Sequence, residues 1–519
     1  MSGCDQGPLG INPGMAVTKL AFTELRSMLH PQLPDHIETF TRIRDGIIGL
    51  KHQLRTHRHP AGIPLLYADW TASGRAYGPI ETTLRKEVLP LMANTHTDTN
   101  ATGSAMTHAY AEARRVIRHH VHAGEEDVLI CTGSGMTGAV NKLQRLLGIK
   151  RDFAADPDRR PVVFVTHMEH HSNHTSWLET GAEVVLVDCT ETGLVCASRF
   201  AEAVARYPAG RPKFAAVTAC SNVTGIETPY RDIAAVMHAA GGYCFVDFAC
   251  SAPYVDIDMH PTDEPGAHLD AVCFSPHKFL GGPGSCGVLV VHRRHLQSGT
   301  PDHPGGGTVS WTNPWGQHRF LPDPEAREDG GTPGILQTIR AALAIRLKEK
   351  MGAGRIRHRE NQLMQILWEG LDGIPEVAIL AGEHRERLGI ISFNIRGLHH
   401  NLAVKMLNDY YGVQVRGGCS CAGTYGHYLL GIDRGASACY LQQIDRGEAI
   451  VRPGWIRLSI HPTMSEADMA YLVRAVRGVA KHHVTWSRNY RICPDSAAVA
   501  CLKDDYDRER LERISGIFA

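Results

Sequence analysis

A lysine, an aspartate, an asparagine and a histidine each follow an apolar run in this chain, and they are the residues whose placement could do chemistry. Lys278 lies in "FSPHKFLGGPG", between an apolar run and a glycine turn. Those flanks hold it in the interior, where desolvation lowers a lysine pKa and makes it a usable amine nucleophile. Asp247 ends "YCFVD", where a functional carboxylate would pair with a buried cation. Asn222 follows "KFAAVTACS", and Ser275 and His277 precede the lysine. "GSGMTG" follows "DVLICT" and opens a helix. Its free backbone N–H groups, over Ser134, Gly135, Met136 and Thr137, can cradle a phosphate, with Ser134 and Thr137 adding hydroxyls. The same segment formally matches G-x-G-x-x-G at Gly133, Gly135 and Gly138, so a dinucleotide site is a rival. It is not in an N-terminal βαβ unit, and the nearby acid, Glu169, is not clearly placed for a ribose.

The stretch "THMEHHSNHTSW" holds His167, His170, His171 and His174. Their spacing would put all four on one face of a helix, an arrangement that suits a metal site. That requires a helix from His167, yet "VVFVTHM" is still strand-like there. The better reading is a histidine directly after a strand. "VRGGCSCAGTYGH" places Cys419 and Cys421 in a glycine-rich loop, more exposed than the other cysteines, which lie mostly in apolar runs. No CxxC pair occurs among the 14 cysteines, which argues against a zinc ribbon or a thioredoxin motif.

The elements that must position these groups are legible. From Asp127 to Val291, seven short apolar runs alternate with amphipathic helical patterns. This predicts an α/β fold with a mostly parallel seven-stranded sheet covered on both faces. In such sheets ligands bind beyond the carboxyl ends of the strands, where these polar residues fall. "LGIISFNIRG" and "WIRLSI" predict strands of a smaller α+β domain. The expected organisation is a helical extension over 1–64, a large domain over 65–335, a small domain over 336–485 and an appendage over 486–519. Lys+Arg and Asp+Glu are both 54, leaving no net charge to hold nucleic acid or an anionic membrane. No apolar run reaches the roughly 20 residues that span a bilayer. The N-terminus does not read as a signal peptide, so a cytoplasmic protein is expected.

A phosphate cradle, a buried aspartate and a constrained lysine together point to pyridoxal 5'-phosphate. The lysine would form the Schiff base, the aspartate would keep the pyridine nitrogen protonated, and a histidine would stack on the ring. At these residues, over roughly Leu65–Ala480, the chain resembles the class V aminotransferase superfamily, with the type I fold of pyridoxal-phosphate transferases. Within it the resemblance is to cysteine desulfurases and selenocysteine lyases. The resemblance implies Lys278 as Schiff-base lysine, Ser275, His277 and Thr137 as phosphate ligands, and His170 as the stacking histidine. It implies Asp247 as pyridinium partner, Asn222 near the cofactor O3' and the substrate, and Arg457 as the substrate-carboxylate fork, with Arg416 nearby. Thr332 in "GGTPG" matches a threonine that reaches the phosphate of the other subunit, which implies a homodimer with shared sites. Cys421 lies where desulfurases carry the sulfur-accepting cysteine, with Cys419 in reserve. A protein sulfur acceptor is a possible partner of such a reaction.

Three departures bear on the substrate. Cys250 stands where the family usually has Gln, the segment 422–456 is long, and both ends carry additions. The leading expectation is cysteine desulfuration, L-cysteine to L-alanine with a persulfide left on Cys421. The alternatives are another class V reaction, such as transamination, epimerisation or C–S or selenocysteine lysis, a metal-binding or regulatory protein, and a nicotinamide dehydrogenase. No metal ligand is assigned.

Overall fold

The computed structural model describes residues 36–519 apart from 96, 134, 152, 154–158, 297 and 504–505. The seven apolar runs all form strands of one sheet. They are β1 (Asp127–Thr132), β2 (Val162–Val165), β3 (Glu183–Leu186), β4 (Lys213–Thr218), β5 (Tyr243–Asp247), β6 (Ala271–Phe274) and β7 (Gly287–His292). Their order across the sheet is β1-β7-β6-β5-β4-β2-β3. Only β7 runs against the rest: it is antiparallel to both β1 and β6, while the other pairs are parallel.

The runs are continuously apolar because both faces of the sheet are covered. Val163 and Val165 of β2, Phe214 and Ala216 of β4 and Leu289 and Val291 of β7 enter one core. Their alternating neighbours Val162, Phe164, Ala215, Val217, Val288 and Val290 enter the other. This is the period-two side-chain alternation of a strand applied twice, with no polar face left over. The first core is capped by helix α1 (Gly135–Leu146), through Met136, Ala139, Val140 and Leu143.

A second sheet is antiparallel and four-stranded. Its strands are β8 (Val377–Ile379), β9 (Ile390–Ile395), β10 (Arg416–Gly418) and β11 (Trp455–Ser459), in the order β8-β9-β11-β10. The segment 66–75 ties the two sheets together. Leu66–Tyr67 pairs in parallel with Val413–Gln414, and Ser459 N donates to Ala68 O. A few residues on, Gly74 N donates to His277 O at 2.9 Å, and Gly281 N donates to Arg75 O at 2.7 Å. The lysine-bearing turn and the Arg457 strand are thus fastened to one short stretch of backbone.

The segments at the two ends are folded onto this frame. Arg44, in the helix His36–Asp45, pairs with Asp468 at 2.6 Å. A hairpin of Tyr490–Ile492 and Val499–Cys501 follows the long helix Glu466–Trp486. Residues before 36, part of the expected helical preface, lie outside the described residues. No helix among the described residues is long and apolar enough to cross a membrane.

Close packing at the start of β7 is a sharp test of how the loop after β1 is placed. A Cβ added at Gly287 would lie 2.2 Å from Gly135 O and 2.8 Å from Gly135 Cα. Backbone cannot yield as a side-chain tip can. Gly287→Ala is expected to cost about 1–3 kcal/mol through overpacking, read by urea denaturation, and to displace the Gly135 turn.

Candidate active site

The carboxyl ends of β1, β2, β4, β5 and β6 open onto one cavity of about 240 Å³. Met136 and Thr137 reach it from the turn after β1, and His170 from the turn after β2. Asn222 comes from the turn after β4, Asp247 from the last position of β5, and Ser275, His277 and Lys278 from the turn after β6. Arg416 of β10, Arg457 of β11 and Cys421 line the cavity too. Cys250 also lines the cavity. Of the remaining residues expected here, Gly135 borders it, Ser134 lies outside the described residues, and Thr332 is exposed and does not line the cavity of its own chain.

One end of the cavity is a cradle of hydroxyls and backbone. Gly135 has φ +59°, and a Cβ there would meet Ser275 Oγ at 2.8 Å and His277 Cε1 at 3.1 Å. Met136 N, at the start of α1, donates to Ser275 Oγ at 2.8 Å. Thr137 Oγ1 and Ser172 Oγ lie 2.6 Å apart. A helix N-terminus ringed by three hydroxyls and a histidine suits a phosphate. His277 is pushed down to about 4 by burial and by the Lys278 charge, so it is a neutral hydrogen-bonding partner at neutral pH.

Burial lowers the pKa of Lys278, with Cys250 and Asp247 opposing that shift. Burial raises the Asp247 carboxyl from 3.8 to about 6, against the pull of the Ala249 N–H and of Lys278. His170 caps the helix α2 (His171–Leu178): its Nδ1 accepts from Ser172 N at 3.1 Å, which fixes the ring at the cavity wall. Burial and the Lys278 charge push it down to about 3. Asp69, which the sequence reading missed, holds both arginines, with Oδ1 2.8 Å from Arg457 and Oδ2 3.1 Å from Arg416. Arg457 NH1 also donates to Asn222 O at 3.1 Å. The signal was available, because "ADW" follows the short strand Leu66–Tyr67 just as the other site residues follow theirs.

The four histidines do not converge. His170 faces the cavity, while His167 Nε2 lies 3.1 Å from Gly193 O. His171 Nε2 accepts from Gly423 N at 2.9 Å, and His174 Nδ1 lies 3.1 Å from Thr424 Oγ1. His171 N donates to Cys421 O at 2.7 Å, and Asn222 Nδ2 donates to Ser420 O at 2.7 Å. His171 and His174 therefore anchor the cysteine loop. Ser420 and Cys421 are both left-handed, with φ 51° and 55°. Two successive non-glycine residues in that region store strain that these anchors must hold. The exposed Cys421 lines the cavity, whereas Cys419 packs towards an apolar cluster containing Met168, Val223 and Trp455.

The dinucleotide rival loses its structural context. β1 is an edge strand paired only to the antiparallel β7, not the central strand of a parallel βαβ unit. Glu169 turns inward, accepting from Thr166 Oγ1 at 2.7 Å, Asn173 Nδ2 at 2.7 Å and Thr218 N at 3.0 Å. Burial pushes it up to about 8.

The class V aminotransferase profile matches residues 66–472, so the chain belongs to the class V aminotransferase family, whose members are generally pyridoxal-phosphate enzymes. Among curated relatives, it is 29% identical over 367 residues to a probable cysteine desulfurase of Halalkalibacterium halodurans, covering 70% of this chain and 85% of that one. A probable cysteine desulfurase of Halobacterium salinarum is 27% identical over 391 residues, covering 75% and 89%. The fold is that of the cysteine desulfurase of Thermococcus onnurineus, with a TM-score of 0.68 and 23% identity over 85% of this chain and 98% of that one. It is also that of the cysteine desulfurase CsdA of Escherichia coli, with a TM-score of 0.66 and 21% identity over 87% and 99%. The expected type I fold is borne out.

The Asp247 shift fixes the sign of a pH effect in the cofactor-free protein. Between 3.8 and about 6 the folded chain holds a proton that the unfolded chain releases. That stability is complete below pH 3.8 and is lost as pH rises through about 6, leaving a cost of about 3 kcal/mol above it. Asp247→Asn should therefore raise the melting temperature of the cofactor-free protein at pH 7.5 and leave it nearly unchanged near pH 4. Thermal unfolding at the two pH values reads the difference.

Proposed function

We propose that this chain is a pyridoxal-phosphate-dependent cysteine desulfurase-like enzyme that converts L-cysteine to L-alanine and leaves the sulfur on Cys421. The observation that carries the reading is that Cys421 and Lys278 line one cavity together with a phosphate cradle and two arginines. Ser275, Thr137, Ser172, His277 and the N-terminus of α1 would hold the phosphate. His170 would cover the ring, and Asp247 would meet its nitrogen, where a protonated pyridine restores the charge partner that burial denies the carboxylate. Bound there, the cofactor supplies an electron sink that acidifies the substrate Cα–H bond.

The residues of the chain supply the rest. Arg457 and Arg416 orient the substrate carboxylate, since a guanidinium fork matches its two oxygens. Lys278, with its lowered pKa, removes the Cα proton and returns one to the carbon skeleton. The Cys421 thiolate attacks the substrate sulfur, the C–S bond breaks, and a persulfide remains on Cys421 while alanine departs. The cysteine loop is presented by His171, His174 and Asn222. Cys250 lines the cavity beside the cofactor, and its thiol already donates to Cys220 O at 3.0 Å, so it would be a weak donor to the cofactor. The reading includes a homodimer in which Thr332 completes the partner's phosphate site.

A second reading, another class V reaction on a different amino acid, is favoured by one feature. Asp69 already occupies donors of both Arg457 and Arg416, which narrows what can bind there. The two readings separate in one assay. Alanine and sulfide are quantified together from L-cysteine and a reductant, for wild type, Lys278→Ala and Cys421→Ser. Equal yields from wild type, falling by at least about a thousandfold in Lys278→Ala and to background in Cys421→Ser, are the expected result. Turnover of an amino acid that survives Cys421→Ser would instead establish the second reading.

A further inference from the structure

Three side chains from separate parts of the chain meet outside the cavity. His57 belongs to the segment before the family match begins, Cys501 ends the C-terminal hairpin beyond it, and Asp409 is on the helix His400–Tyr411 within it. His57 Nδ1 lies 3.7 Å from Asp409 Oδ2 and 3.5 Å from Cys501 Sγ, and the three donor atoms all lie within 4.8 Å of one another. The first separation is too long for a hydrogen bond, and the second is at best a weak thiol contact. Around a tetrahedral zinc ion, with Zn–N and Zn–O near 2.0–2.1 Å and Zn–S near 2.3 Å, neighbouring N and S ligands are about 3.5 Å apart and N and O ligands about 3.3 Å. The His57–Cys501 separation matches, and the other two are close enough for the three donors to share one centre after a small inward shift.

The surroundings are those of a supported site. The His57 and Asp409 side chains are 5% and 3% exposed. Asp409 Oδ2 accepts from Tyr490 Oη at 3.0 Å, while Oδ1 accepts from Lys405 Nζ at 2.9 Å and Asn408 Nδ2 at 2.6 Å. Those bonds aim Oδ2 at His57 and Cys501, the role of outer-shell partners at metal centres. The His57 ring is wedged edge-on between Tyr410 and Tyr490, with centroids at 5.4 and 5.8 Å. Imidazole, thiol and carboxylate together suit zinc. Magnesium and calcium take oxygen ligands, and copper(I) prefers softer ones.

We infer that His57, Asp409 and Cys501 form a zinc site that fastens the N-terminal segment and the C-terminal hairpin to the helix His400–Tyr411. Binding releases the Cys501 thiol proton to solvent, and thiolate plus carboxylate balance the charge of the ion. The fourth position is taken by water or a further side chain. The metal takes no part in the proposed desulfuration, since its ligands lie outside the cavity.

The test uses the full-length, cofactor-loaded protein dialysed after addition of zinc, with metal measured by elemental analysis. About one zinc per chain is expected in wild type and in Cys421→Ser, falling at least tenfold in Cys501→Ser and His57→Gln. Chelation should lower the thermal midpoint of wild type by roughly a few degrees, restored by zinc, and leave Cys501→Ser unmoved. Because a variant could lose metal by misfolding, cobalt(II) substitution of wild type gives an independent reading: a thiolate-to-cobalt charge-transfer band is expected. Wild type without stoichiometric zinc, a cobalt form without that band, or variants that keep their zinc would each overturn the inference.

Discussion

The structure depends on placing like charges together in one cavity, with Arg457 buried and Arg416 half-exposed. Lys278, Arg416, Arg457 and Asp247 line it, and Asp69 bonds both arginines. His170 and His277 are held neutral there by burial and by the lysine. Burying cations is costly even when Asp69 bridges Arg416 and Arg457, so the fold must enforce their approach. It does so with two fully covered sheet faces, and with a single stretch, 66–75, that is bonded to the lysine turn on one side and to β11 on the other.

The histidine cluster shows how a local motif takes its meaning from distant chain. Its spacing would suit a metal on a single helix, but the helix starts only at His171. His170 is left as the N-cap, facing the cavity. His171 and His174 project from the first turns of that helix onto Gly423 and Thr424, some 250 residues on. What they hold is a left-handed pair, Ser420 and Cys421, which no local preference would select. The strain is retained where the exposed Cys421 lines the cavity.

Much of the fold was legible because a sheet covered on both faces writes itself as continuous apolar runs. All seven runs became strands, and the polar residues at their exits met in one cavity. The reversed direction of β7 was not legible, since apolar composition carries no sign of strand polarity. Asp69 was missed because a two-residue strand gives little periodic signal, although its position after an apolar run follows the same rule as Asp247. The orientation of Cys250 was equally hidden: the sequence shows a thiol at that position, but only packing aims it at Cys220 O.

Sequence alone determined the class of fold, the residues at the strand ends and the family, because these follow from hydrophobic period and from which reactive groups interrupt it. Tertiary structure decided which cysteine faces the cavity, how each histidine is used, and that Asp69 bridges Arg416 to Arg457. Those outcomes depend on contacts between residues hundreds of positions apart, whose geometry is set by how two sheets pack and not by any local preference of the chain.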